Sequence, residues 1–262
     1  MITSLNITLN ETRKGLIILW DYKFSLLIQL LGMGMVFTGI LFFVGQGEFE
    51  QATLASSLLG FIVTFYAMET ISNMSYALTA EAQAGTLEQI YMSPAPSSLI
   101  ILGRSLSSLI SATLQLVIIA TVLLILFQIN LPLRWEILPI LLITLFGFIG
   151  FGYVIGGITL IFKQVGPSAE ILRSMLLFIN GTFLPVEYMP TWLKTFAQLL
   201  PSTQGILVMR RVALDGASLA DVWADGTLVY LVAHSGIFLL LGLFIFGYCE
   251  QVARRQGTLG QY

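Results

Sequence analysis

The chain has 262 residues, of which 56% are hydrophobic and only 10% charged, with a formal net charge of −2. Soluble domains carry about 25% charged residues, so this composition excludes an ordinary soluble globular protein and places the chain in a membrane. The near-neutral balance gives no reason to expect a nucleic-acid partner.

Taken in order, the first predicted element lies ahead of any membrane span. In Glu11–Trp20, Leu16, Leu19 and Trp20 fall at i, i+3 and i+4 behind Arg13 and Lys14. This pattern fits a helix lying in the membrane interface, or a simple basic flank that sets orientation. Six spans are then expected: Phe24–Val44, Leu54–Asn73, Ile101–Phe127, Ile137–Phe162, Val165–Leu184 and Thr227–Tyr248. Each approaches or exceeds the ~20 residues that cross a hydrocarbon core. The fifth is the weakest, with Glu170 and Arg173 near its start and Asn180, Gly181 and Pro185 at its end. The first apolar run begins only at Phe24, too late and too long for a cleaved leader, so it is expected to be retained.

With six crossings, Arg13, Lys14, Lys23, Arg104, Lys163, Arg173, Arg254 and Arg255 share one side, against Arg134, Lys194, Arg210 and Arg211 on the other. The excess of basic residues predicts both termini in the cytoplasm, in a plasma (inner) membrane.

Between the second and third spans, Glu81–Pro94 is polar, longer than a bare connection needs, and stopped by proline. Gly85 is expected to break one short helix and Thr86 to cap another, whose Leu87, Ile90 and Tyr91 share a face flanked by Glu81 and Glu88. Such an apolar ridge suits a groove on a soluble partner, or the membrane surface. On the opposite side, Phe183–Pro201 is apolar but interrupted by Pro185, Pro190 and Pro201, which predicts a re-entrant or interfacial helix pair. Gly205–Leu214, with Arg210 and Arg211, reads as a further short amphipathic piece.

Three features inside the spans carry chemistry or packing. Glu69 is costly in a membrane helix, and it either lines a translocation path, binds a cation or snorkels to the interface. His234, the single histidine, is read first as a neutral imidazole bonded to a neighbouring helix, with a proton relay or ligand as the alternative. Gly152 and Gly156 form a small-xxx-small pair that permits close helix approach, within the chain or between copies. The lone Cys249 rules out an internal disulfide. There is no phosphate-binding loop, His-Glu-x-x-His or Gly-x-Ser-x-Gly motif, so neither ATPase nor hydrolase activity is expected of this chain, and no metal site is assigned.

Several stretches together resemble the transmembrane subunit of ABC-2 type ATP-driven transporters, the drug and polysaccharide export permeases. They are Gly85-Thr86-Leu87-Glu88, Ser93-Pro94 and Ile101-Leu102-Gly103-Arg104; Phe183-Leu184-Pro185, Pro190, Pro201, Arg211 and Gly216; and the basic tail Ala253–Leu259. The resemblance implies a single all-α membrane domain over residues 1–262. It also implies pairing with a second permease and docking of separate cytoplasmic ATPase subunits that hold ATP and magnesium.

By the same resemblance, Glu81–Pro94 is a coupling helix. Gly85 and Thr86 set its turn, Leu87 and Tyr91 give apolar contact, and Glu81 and Glu88 select a basic counterpart. Many members carry an arginine just before this motif, where this chain has Ala82, Gln83 and Ala84. Cargo would be lipidic, drug-like or a lipid-linked glycan, moved by alternating access. A non-transporting scaffold and an autonomous secondary transporter are the competing readings, and Glu69 and His234 are too few ionisable groups to favour the latter.

Overall fold

The computed structural model describes residues 2–86, 96–132, 134–162 and 165–256. Helices form every regular element among them. In order these are α1 (Ile2–Asp21), α2 (Lys23–Val44), α3 (Gln51–Gln83), α4 (Ser97–Phe127), α5 (Ile137–Phe162) and α6 (Gly166–Ile179). A single 3-10 turn at Val186–Tyr188 follows, then α7 (Thr191–Gln198), α8 (Pro201–Ala213), α9 (Leu219–Ala224) and α10 (Thr227–Gln256).

Five of these, α2, α3, α4, α5 and α10, are long and apolar enough to cross a membrane. The chain is therefore a multi-pass membrane protein. The expected span over Val165–Leu184 is not one of the five: α6 has 14 residues, roughly 21 Å of helix against a core of ~30 Å. It stops because the Asn180-Gly181 pair cannot continue it; Gly181 adopts φ +86°, a left-handed conformation that disfavours any residue with a Cβ.

α3 is the axis of the bundle. Of its most apolar window 89% is buried, against 22% for α2 and α10, so α4, α5, α6 and α8 pack around it while α2 and α10 face outward. Its hydroxyls are compatible with that burial because they bond within the helix: Thr64 Oγ1 donates to Gly60 O and Thr70 Oγ1 to Tyr66 O, both at 2.8 Å. Phe37 of α2 meets Phe61 of α3 edge-on at 5.1 Å and Phe183 at 5.7 Å, joining three segments.

α3 also runs ten residues beyond the expected end at Asn73, because no glycine or proline interrupts it before Gly85. α1 is likewise longer than its amphipathic core at Glu11–Trp20, and only Tyr22 separates it from α2. It packs along α4, where Gly15 lies so close to Ser107 that a Cβ would fall on the serine hydroxyl.

The glycines of α5 serve packing within the chain. Gly150 touches the backbone of α10 at Phe238, Gly157 lies against Phe246 and Cys249, and Gly152 faces Thr70 and Ser105. Gly156, the other half of the small-residue pair, faces Leu78 and Phe246.

Candidate functional site

A cavity of about 480 Å³ opens where α1, α2, α3 and α4 meet. Its deep end is built around Glu69, which is 5% exposed. Gln29 Nε2 of α2 donates to one carboxylate oxygen at 3.2 Å and Asn73 Nδ2 to the other at 3.1 Å. Gln115 of α4 lies beside the same carboxylate, and Ser108 Oγ reaches the Glu69 main-chain oxygen at 3.3 Å. Among the described residues no cation lies within ion-pair distance of Glu69; Arg173 of α6 attracts it from farther off. The carboxylate is therefore held by neutral donors, with a buried Gln115 Oε1 beside it that has no hydrogen-bond partner.

The α4 wall of this cavity is a polar stripe, Arg104, Ser107, Ser108, Ser111 and Gln115, spaced at three and four residues so that it occupies one helix face. Sequence reasoning read this helix as a plain apolar span and passed over both the stripe and Gln29. The signal was available: hydroxyls and amides recurring with helical period inside an otherwise apolar run.

At the mouth, Glu81 near the end of α3 pairs with Arg104 of α4 and, at 3.8 Å, with Lys14 of α1. Four residues later the helix closes. Gly85 takes φ +69°, its N–H bonds Ala82 O at 3.0 Å, and Thr86 N–H bonds Glu81 O at 3.0 Å. This is a Schellman termination, in which glycine supplies the left-handed residue. Gly85 thus ends α3 itself rather than a separate short helix. The Thr86 hydroxyl turns back to Glu81 O at 3.2 Å. Leu87, Glu88 and Tyr91 lie outside the described residues.

On the other side of the bundle, the break after α6 is built into the core. Asn180 Nδ2 donates to Thr64 Oγ1 at 2.6 Å, and the Thr64 and Thr182 hydroxyls meet at 2.5 Å. Arg210 of α8 donates to three main-chain oxygens, those of Gly181 and Thr182 at 2.7 Å and Ser56 at 3.0 Å. The prolines set the following turns: Pro185 precedes the 3-10 turn, Pro190 immediately precedes α7, and Pro201 opens α8. Arg211 bonds Thr227 Oγ1 at 2.8 Å and pairs with Asp225 at 2.6 Å, fastening α8 to the start of α10.

His234 stacks on Tyr230 at 5.8 Å, meets Phe238 in a tilted contact at 5.0 Å and lies beside the main chain of Leu199 at the α7–α8 junction, its buried Nδ1 having no hydrogen-bond partner among the described residues. It lies away from Glu69, and the two ionisable groups do not share a site. Among the described residues no group of His, Cys, Asp and Glu side chains is arranged to hold a metal.

Comparison with known proteins returns a family model described as "ABC-2 type transporter", matching residues 12–214. The chain is 28% identical over 171 residues to the "Probable multidrug ABC transporter permease YbhR" of Escherichia coli, both strain K12 and O157:H7, covering 64% of this chain and 45% of that protein. It is 24% identical over 186 residues to "ABC transporter G family member 20" of Dictyostelium discoideum, covering 69% of this chain and 25% of that protein. The chain thus spans less than half the length of these curated relatives.

Proposed function

Since the chain belongs to the ABC-2 type transporter family, we propose that it is the permease subunit of an ATP-driven exporter of lipidic, drug-like or lipid-linked cargo. Separate cytoplasmic ATPase subunits bind ATP and magnesium and dock on Glu81–Pro94, and a second permease completes the path. Both termini face the cytoplasm of a plasma (inner) membrane, which requires α6 and the segment after it together to make a sixth crossing beside the five long helices.

The observation that carries this reading is the continuity of α3. One unbroken 33-residue helix, roughly 50 Å long, runs past Glu69 and ends at the Gly85 turn that leads into the proposed docking segment. A push on that segment is delivered to a rod whose end is clamped by Arg104 and Lys14 through Glu81. Moving the rod changes the walls of the Glu69 cavity, which is the differential contact that alternating access requires. Gly85 and Thr86 set the angle of the turn. Leu87 and Tyr91 supply apolar contact with the ATPase, and Glu88 faces a basic group there. Pro185, Pro190 and Pro201 shape a re-entrant segment that Arg210 and Arg211 hold against the bundle, closing the external side.

The test is photocrosslinking from Gln89 in native membranes, with identification of the captured chain. Capture of a nucleotide-binding ATPase, and loss of its cargo-stimulated turnover on Leu87→Asp substitution with insertion intact, is the expected result. Lipid adducts alone would place the segment on the membrane and remove this reading. A recruited ATPase indifferent to any solute would leave a scaffold.

A further inference from the structure

The cavity at Glu69 is elongated along the helices that wall it. On α3 its lining includes Glu69, Asn73, Ala77 and Glu81, four residues apart on one helix face, so the acid and the mouth stand roughly 18 Å apart. The polar stripe on α4 covers a similar length, from Arg104 at the mouth to Gln115. Charge is balanced at one end of this corridor and not at the other. At the mouth, Lys14 and Arg104 answer Glu81, whereas at the deep end Gln29 and Asn73 give the Glu69 carboxylate neutral amide donors. Arg173, which attracts it from α6, has a nearer carboxylate in Glu170 at 3.4 Å. Gln115 is 4% exposed, and its Oε1 is buried with no hydrogen-bond partner among the described residues.

We propose that the deep end of this cavity binds a small organic ammonium ion, its N–H groups donating to the Glu69 carboxylate and to Gln115 Oε1. The site stands on the geometry of the cavity alone. That its occupant is cargo rests on the permease reading, which it deepens by naming a cationic, drug-like solute.

Both charge and shape select this occupant. An enclosed carboxylate without a counter-ion is costly, and a bound ammonium cancels it. The ammonium brings three donors; a carboxylate has about four acceptor positions, of which Gln29 and Asn73 fill two, and Gln115 Oε1 adds another. A bare metal ion fits less well, because it needs a shell of six or so oxygens, and here two amide N–H groups point at the carboxylate and no second acid joins it among the described residues. An anion meets a like charge at the same point. Ile18, Leu26 and Ala77 in the walls give a short hydrocarbon body apolar contact, so a ring-sized amine is accommodated wholly within the 480 Å³ between α1, α2, α3 and α4.

The experiment uses the full chain in dodecyl maltoside, whose headgroup carries no ammonium, and radiolabelled phenethylammonium read by scintillation proximity. Saturable binding is expected, with 2-phenylethanol, the same body without the charge, a poor competitor. Glu69→Gln should weaken binding roughly tenfold or more, the loss of one close charge pair. Ala77→Leu, which narrows the corridor without touching the acid, should weaken it as well, and keeps the test open if Glu69→Gln does not fold.

Equal competition by 2-phenylethanol overturns the proposal, and so does binding unchanged in Glu69→Gln or in Ala77→Leu. Displacement of the amine by potassium or magnesium at equal concentration would make this an inorganic-cation site and also overturn it. Binding is read without ATP or an ATPase, so these outcomes are separate from failure of the Gln89 crosslink, which bears on the permease reading alone.

Discussion

The guanidinium of Arg210 donates to the carbonyl of Gly181 across 2.7 Å, where α6 breaks off inside the bundle. A helix ending away from water leaves carbonyls without partners, each expensive in an apolar surround. Arg210 answers several at once, since its planar fork also reaches Thr182 O and Ser56 O. Gly60 permits the approach: a Cβ there would stand 2.8 Å from Thr182 Cα. The short α6 and the cationic residue on α8 are thus two parts of one device.

Replacing Arg210 by Ala strands the Gly181 and Thr182 oxygens and removes the second bond to Ser56 O, which keeps its place in the α3 ladder. Hydrogen bonds to a charged donor are worth about 1.5–3 kcal/mol each, so a loss of roughly 3–5 kcal/mol is expected, allowing for partial relaxation. Arg210→Lys should recover only part, because a single ammonium cannot reproduce the fork. The measurement is the unfolding midpoint in detergent; Lys and Ala variants equal to the parent would show that the oxygens find other donors.

The α5–α10 seam gives a paired prediction. A Cβ at Gly242 would stand 2.1 Å from Gly150 O, whereas at Gly236 on the same helix it meets nothing within 4 Å. Gly242→Ala must part the helices and should cost about 1–3 kcal/mol, as overpacking does. Gly236→Ala should instead be neutral or stabilise by up to about 1 kcal/mol through backbone entropy. If the two variants unfold at one temperature, the close approach has no energetic weight.

Much of the scaffold is legible in the sequence because hydropathy reports what must avoid water. The five long helices fall where apolar runs lie, and Gly85 punctuates where its conformation is needed. Length alone could not decide α6: its window is apolar, yet the stop at Asn180-Gly181 is stabilised by Thr64 and Arg210, distant in sequence. The far end of α3 was hidden for the opposite reason. Residues from Asn73 to Gln83 are polar enough to suggest a loop, while nothing in them breaks a helix and Glu81 gains two cations from other helices.

The Glu69 site was half visible. An acid in a span announces itself by its cost, but its partners Gln29, Asn73, Ser108 and Gln115 come from three helices and meet only on folding. Their individual sequence contexts are those of ordinary membrane helices, where single hydroxyls bond their own backbone.

The cap of α9 titrates independently of the membrane. Hydrogen bonds from the Ser218 main chain and hydroxyl hold the Asp221 carboxyl below the usual aspartate range, and Thr227 does the same for Asp225. Lowered carboxyl values mean stabilisation that is present above the ordinary value of about 3.9 and disappears as pH falls through the lowered ones. Carboxyl NMR titration of selectively labelled protein should place both midpoints below about 3.9. Ser218→Ala should move Asp221 upward and leave Asp225 where it is; movement of both would mean the two acids report one shared change.

Glu81 offers the last test, because its two cations differ in setting. The Arg104 side chain is 9% exposed and the Lys14 side chain 58%, while Glu81 itself is 15% exposed. A solvent-screened pair contributes at most about 1 kcal/mol, so Lys14→Ala should scarcely move the unfolding midpoint. Arg104→Ala leaves an enclosed carboxylate without its near partner and should cost roughly 3–5 kcal/mol. Adding Glu81→Gln to Arg104→Ala removes the stranded charge, and the double variant should be more stable than Arg104→Ala alone. That reversal separates a charge effect from lost packing: if the second substitution only adds to the first, the guanidinium serves as bulk between α3 and α4, and the clamp on the end of α3 is steric rather than electrostatic.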